Sequence, residues 1–249
     1  MSIKRILLFI VIAALILVGF SIYSLLKTEW KERYPDPPKN IGIFQTIELT
    51  LINPATVLDD IHNGKKLVLQ IQPDPFPVVE PPFIMPINWS QNDFLEVAQA
   101  YGKVIWQDDL SLWHLYKVVF DQHCDSSNGQ FTNAEFQYYR EVTEGEDKLY
   151  SVRAIYLDPE YGMLTWGGDT FYNRPGFFGW VNVDENLAKV PADQALALAD
   201  AREGSEFRKD ANHDCRISLI LWPTGNGRMD WFVGYYGSKT DMDIWIPAK

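Results

Sequence analysis

Two cysteines, four histidines and a scatter of carboxylates are the side chains with which this 249-residue chain could do chemistry. Cys124 follows His123, and Cys215 follows His213-Asp214, so two imidazoles and two thiols are available in two short segments. Such a set could close a tetrahedral zinc site, although the spacing within either segment matches no recognised zinc pattern. In an oxidising compartment the same two cysteines would instead form one disulfide, and two unrelated buried thiols are the third reading. The disulfide between Cys124 and Cys215 is the expectation.

Asp210, Asn212 and Asp214, with Ile217, have the spacing of the first, third, fifth and eighth positions of a calcium loop. The pattern then breaks, because Cys215 stands where the sharp turn wants glycine and Leu221 where a bidentate glutamate should close the loop. A complementary fragment, residues 126–135 with Gly129 and Glu135, fits only the later half of such a loop, and Cys124 occupies its first position. Tyr116 and Phe120 precede it at helical spacing, which leaves residues 110–123 open to either a helix or strands. Neither segment has the full ligand set of a hard-cation site, so no metal and no cofactor is expected.

The aromatic run TWGGDTFYNRPGFFGW spans residues 165–180, and its Gly167-Gly168 and Pro175-Gly176 pairs dictate a loop. Trp166, Phe171, Tyr172 and Trp180 beside Asp169 and Arg174 could stack a sugar or clamp a peptide. The alternative is that these rings pack under the loop. No catalytic arrangement competes with these binding readings: His62, His114, His123 and His213 lie in no nucleophile-elbow, metalloprotease or phosphate-loop pattern, and Asp108-Asp109 reads as a cap. The chain therefore reads as a non-enzyme.

Composition narrows the partners. A hydrophobic fraction of 47% against 22% charged residues is ordinary globular usage, which removes disorder as the default. The formal charge of -11 repels phosphate backbones and anionic headgroups, which excludes nucleic acid and peripheral membrane docking. Cationic partners, metal ions or neutral ligands remain.

The elements that must position these residues begin with an apolar segment. Ile6 to Leu26 carries no charged side chain. At about 1.5 Å per residue it covers roughly 31 Å as a helix, the thickness of a bilayer's hydrocarbon core. Tyr23 and Trp30 fall at its outer end, where amphipathic rings favour the headgroup layer. A cleaved signal sequence is the alternative, with small residues at Gly19 and Ser21, but the apolar run continues past that site. Flanking basic residues, Lys4 and Arg5 against Lys27, Lys31 and Arg33, do not decide the orientation. The short leader and the cysteine pair favour a single-pass anchor with the globular part outside the cytoplasm.

Behind this anchor, 1–26, a proline-rich stalk spans 27–40 and a small preface with a second proline-rich stretch spans 41–87. The preface holds a short helix over 55–61 and a strand over 66–71. Two α+β units follow, 88–182 and 183–249. Ser90 caps a helix that ends at Tyr101-Gly102, and Pro191 opens another over 192–201 that ends near Gly204. After each helix come strands, clearest where residues 148–157 alternate and where RISLILW and MDWFVGYY flank Gly225-Asn226-Gly227. The predicted fold class is α+β, an N-terminal transmembrane helix followed by two tandem helix-plus-antiparallel-sheet units.

The stretch PADQALALADAREGSEF, RISLILW, GRMDWFVGYYG, with Trp231, Val233 and Tyr235 on its last strand, resembles the PepSY-like domains of bacterial extracytoplasmic proteins. YSVRAIYLDPEYGMLTWGG resembles their strand-turn-strand more weakly, with Asp158-Pro159-Glu160-Tyr161-Gly162 where the family has Asp-x-x-Thr-Gly. The resemblance implies a secreted or anchored binding or inhibitory module and supplies no catalytic residues. The functional expectation is a membrane-anchored binding module for a peptide or protein, with binding of an envelope polymer or other carbohydrate through residues 165–180 as the alternative.

Overall fold

The computed structural model describes residues 47–72, 89–107, 112–127, 129–144, 147–167, 170–172, 189–225 and 228–248. The apolar segment Ile6 to Leu26 and both proline-rich stretches lie outside them, and among the described residues no helix is long and apolar enough to cross a membrane.

Among the described residues, nine strands form one antiparallel sheet. In chain order the elements are β1 Glu48–Leu51, α1 Val57–His62, α2 Gln91–Trp106, β2 His114–His123, β3 Asn133–Glu144, β4 Asp147–Asp158, β5 Met163–Trp166 and β6 Thr170–Tyr172. Then come α3 Ala192–Ala199, a π-helical turn Asp200–Gly204, α4 Ser205–Asp210, β7 Cys215–Gly225, β8 Arg228–Gly237 and β9 Asp241–Pro247. The sheet order is β1-β5-β4-β3-β2-β7-β8-β9, and β6 adds to β4.

This corrects the expectation of two tandem units. β2 pairs with β7 from Val118 opposite Leu221 to His123 opposite Arg216, so the sheet runs without a break across the boundary drawn at 182 and 183. Strands dominate, and the helices are short except α2. Of the segment 41–87 the described residues 47–72 join the same sheet and core: β1 pairs with β5, and Ile52 and Val57 enter the common core. Its expected strand over 66–71 reduces to a single bridge between Thr50 and Ile71. Residues 114–123 are strand rather than helix, because each apolar Val118 and Phe120 alternates with residues that face the other way.

Local chemistry sets the ends of the elements. Ser90 Oγ accepts from the Asp93 backbone N–H at 3.3 Å while Asp93 Oδ2 accepts from the Ser90 N–H at 2.7 Å, a reciprocal capping box. The helix runs through Tyr101 and Gly102, both buried, and stops only at Gln107 in a left-handed conformation (φ 48°). Burial of that stretch outweighs the cost of a helical glycine, about 1 kcal/mol.

Val119 is buried on one face of the sheet, while the sheet side chains of the main core cluster point to the other. Phe120, Phe136, Ile155, Leu219 and Val233 lie there on successive strands, and α2 adds Phe94, Val97 and Ala98. Ala192, Ala195 and Ala199 line the buried side of α3, whose small side chains let its backbone approach β8 and β9 closely. Each fully buried large side chain contributes about 1.5–3 kcal/mol.

Candidate functional site

The helices do not cover that face evenly. α2 packs over β3 and β4 and α3 over β8 and β9, which leaves the central pair β2 and β7 between them. A cleft of about 240 Å³ opens along this seam. Val118, Phe120 and Leu221 form its floor, and Leu95, Phe136 and Trp231 its sides. At the mouth Gln91 Oε1 accepts from the Ala192 N–H at 2.8 Å, and the Trp231 indole N–H donates to the Val190 carbonyl at 2.9 Å. These two bonds tie the start of α2, the lead-in to α3 and strand β8 around one opening. Phe120 is held by an offset stack on Phe131 (4.8 Å) and edge contacts with Phe94 and Phe136 (6.0 Å each), so the floor is preformed. Asn92 is the exposed polar group at the rim. No titratable side chain appears among the described residues lining the cleft.

The opposite face of the sheet carries no described helix. One cross-strand row there runs Tyr156, Glu135, Val119, Ile220, Phe232, Trp245. The next row runs Asn133, Asp121, Ser218, Gly234, Asp243. Burial pushes the Asp121 carboxyl above the usual aspartate range, opposed by the neighbouring Ser218 hydroxyl and the Arg216 charge. Tyr156 is pushed well above the ordinary tyrosine range, first by burial and then by the carboxylates of Asp158 and Asp121. Asp158 itself is raised to about 6, chiefly by burial. A Cβ on Gly234 would stand 2.8 Å from Cζ of Tyr236, because the Tyr236 ring folds back over that glycine.

Of the residues singled out from the sequence, Cys124 and Cys215 come together. They form a disulfide with 5.2 Å between Cα atoms, joining the end of β2 to the start of β7. Their thiolates are therefore unavailable to zinc, and His123 and His213 are exposed. The calcium reading fails for a backbone reason: Asn212 and His213 adopt left-handed conformations (φ 52° and 59°) in a tight turn, and β7 begins at Cys215. Asp210, Asn212 and Asp214 thus sit exposed around a helix-to-strand turn with no loop beyond it. No group of three or more His, Cys, Asp or Glu side chains that could hold a metal occurs among the described residues. His62 pairs with Glu96 at 2.9 Å on the surface, and His114 lies against Tyr139.

Trp166 is buried at 7% exposure in the core and offers no free face to a sugar. Phe171 and Tyr172 belong to β6, whose backbone pairs with Ser151 and Tyr150. Asp169, Arg174 and Trp180 lie outside the described residues.

Sequence reasoning missed a buried polar network. Asp200 in the π-helical turn accepts from the Tyr235 hydroxyl (2.8 Å) and from Arg208 Nε (3.1 Å), with its second oxygen 2.8 Å from Arg208 Nη2. Arg208 Nη1 also donates to the carbonyls of Cys124 (3.1 Å) and Ser126 (3.3 Å). Burial and the Asp200 carboxylate push the Tyr235 phenol far above its ordinary value. The spacing of Asp200 and Arg208 on one helix was a visible signal, but their common target on β8 was not. No family model matches the chain, and no curated protein matches it.

Proposed function

We propose that this chain is a membrane-anchored, extracytoplasmic, non-enzymatic binding module that takes an apolar side chain of a peptide or protein partner into the cleft between α2 and α3. The observation that carries the reading is the preformed cleft on the β2–β7 seam, with apolar floor and walls and amides at its mouth. At about 240 Å³ it falls below the volume range typical of whole drug-sized ligands and suits one or two anchoring side chains. The uncharged run Ile6 to Leu26 supports a bilayer anchor, and the Cys124–Cys215 disulfide supports an oxidising compartment.

Panning the purified full-length chain in detergent against a displayed random-peptide library tests the reading. Enriched peptides should share one large aliphatic or aromatic position, and Leu95→Arg at the cleft wall should abolish their binding while the chain still unfolds in one cooperative transition. Peptides that bind the variant as well as the parent, or a library with no enrichment, would remove the cleft from consideration. Labelling of an engineered C-terminal cysteine from outside intact cells checks the orientation; labelling only after lysis would reverse it.

A further inference from the structure

The second surface, separate from the cleft, is the sheet face turned away from the described helices. On β7, β8 and β9 three apolar side chains stand side by side in register, Ile220, Phe232 and Trp245. Phe232 meets Trp245 edge-to-face at 5.2 Å, and Trp245 is 48% exposed at the margin of the sheet. Arg202 Nη1 donates to the Trp245 backbone carbonyl at 3.0 Å, which holds this edge in place. A large exposed aromatic on a rigid strand, with apolar neighbours in register, is the composition of a contact surface rather than of a solvated face.

Charge names the partner. The adjoining row places Asp121 and Asp243 on either side of Ser218 and Gly234, and Asp241 lies one row further along β9. Two of the described cations share this part of the face. Lys117 is answered by Glu135 at 3.8 Å, and Arg216 is exposed with its guanidinium 5.5 Å from the Tyr236 ring. The Asp121 carboxylate is partly buried beside the Ser218 hydroxyl and the Arg216 charge, with Oδ1 shielded from solvent. Asp243 and Asp241, by contrast, are exposed along the edge strand and present their charge directly to an incoming cation. Acidic and apolar rows lie side by side, about 7 Å apart along each strand.

We infer that this face docks a basic amphipathic segment of a partner polypeptide, its apolar side chains on Ile220, Phe232 and Trp245 and its lysines or arginines on Asp121 and Asp243. The alternating spacing of the two rows favours an extended segment. Opposite potentials would also speed encounter and make binding salt-sensitive.

The test uses the full-length chain in neutral detergent and three probes: a labelled peptide alternating Lys and Leu, one alternating Glu and Leu, and spermine. The Lys-Leu peptide should bind, and the double variant Asp121→Asn/Asp243→Asn and the single variant Trp245→Ala should each weaken it by about tenfold or more. Glu203→Gln/Glu206→Gln, which removes the same charge from the helical side, should change affinity by less than about twofold. The Glu-Leu peptide should not bind, and spermine should compete poorly. Equal losses in both double variants, or full displacement by spermine, would reduce the effect to overall acidity and overturn the inference. Absence of Lys-Leu binding would overturn it as well. Loss of that binding in Leu95→Arg would assign the peptide to the cleft instead, so the two surfaces fail separately.

Discussion

Gly204 lies directly beneath the phenol of Tyr235: a Cβ at position 204 would overlap the hydroxyl and stand 2.6 Å from Cζ. The same Cβ would come within 2.7 Å of Asp200 Oδ1. Tyr235 is fully buried and bonded to Asp200, so neither neighbour can give way cheaply. Helix propensity favours alanine over glycine by about 1 kcal/mol, whereas forced overpacking costs about 1–3 kcal/mol and more where both neighbours are fixed. Gly204→Ala should therefore destabilise the chain, by about 1–3 kcal/mol net in urea unfolding. Tyr235→Phe removes the nearest atom, so the alanine should cost less in that background. Additive losses would place the clash elsewhere.

Arg208 has the next most exacting position. Its guanidinium forks onto both Asp200 oxygens and reaches two carbonyls beyond the end of β2, while only 8% exposed. Lysine offers a point charge on a flexible stem and cannot reproduce a planar fork. Arg208→Lys should cost more than about 2 kcal/mol, and Arg208→Ala about 3–5 kcal/mol, because Asp200 would keep a buried charge with no cation beside it. Denaturation of Arg208→Ala/Asp200→Ala should recover part of that loss; a double variant as unstable as the sum of the singles would contradict the pairing.

Much of the secondary structure was legible from residue patterns, and the assembly was not. The alternation over 148–157 and the Gly225 turn predict β4 and the β7–β8 hairpin, since a period of two and a turn residue are local facts. The pairing of Phe120 with Leu219 and of Gln122 with Ile217 is non-local, and a repeated helix-then-strands order reads equally well as two units or as two halves of one sheet. The cleft follows from that pairing, so its floor residues carried no separate signal. Trp166 shows the converse: an aromatic beside Gly-Gly looks like a binding loop, yet as the last residue of β5 it points into the core. The apolar row on the face away from the described helices was hidden for a similar reason, because Ile220, Phe232 and Trp245 become neighbours only when three strands are in register.

The Cys124–Cys215 bond closes a loop of 91 residues across the seam between the two halves of the sheet. A cross-link over that separation restricts the unfolded chain, and the chain-entropy contribution for a loop of this size is about 4–5 kcal/mol, of which removal of a native bridge commonly costs about 2–5. Cys124→Ser/Cys215→Ser should lower stability by about 2–5 kcal/mol. β2 and β7 still share their ladder without it, so the fold should persist and the cleft with it. Guanidinium titrations with and without reductant check the first point. A variant as stable as the parent would mean that the unfolded ensemble is already restricted by other contacts.

Asp158 ends β4 opposite Met163, and its Oδ1 accepts the Tyr161 N–H at 3.3 Å in the turn that follows. Burial is the main cause of its rise to about 6, and the Glu160 charge adds to it, while backbone N–H groups of Tyr161 and Glu160 oppose. An unfolded aspartate titrates near about 3.9, so between about pH 4 and 6 the folded chain holds a proton that the unfolded chain has lost. Stability from this group is therefore fully present below about pH 4, falls as pH rises through that window, and is gone above about 6. Burial raises Asp121 in the same direction, which extends the decline with the same sign. Raising a carboxyl from its unfolded value to about 6 is worth about 3 kcal/mol, and partial exposure of the Asp158 side chain brings the expected change nearer to about 1–2 kcal/mol. Asp158→Asn keeps an acceptor for the Tyr161 N–H and removes the charge. It should raise the thermal midpoint at pH 8 and leave it nearly unchanged at pH 4, so that the variant's curve against pH is flatter than the parent's between those limits. A variant less stable than the parent at pH 8 would mean that the ionised Asp158, held by the two turn N–H groups, outweighs its own desolvation.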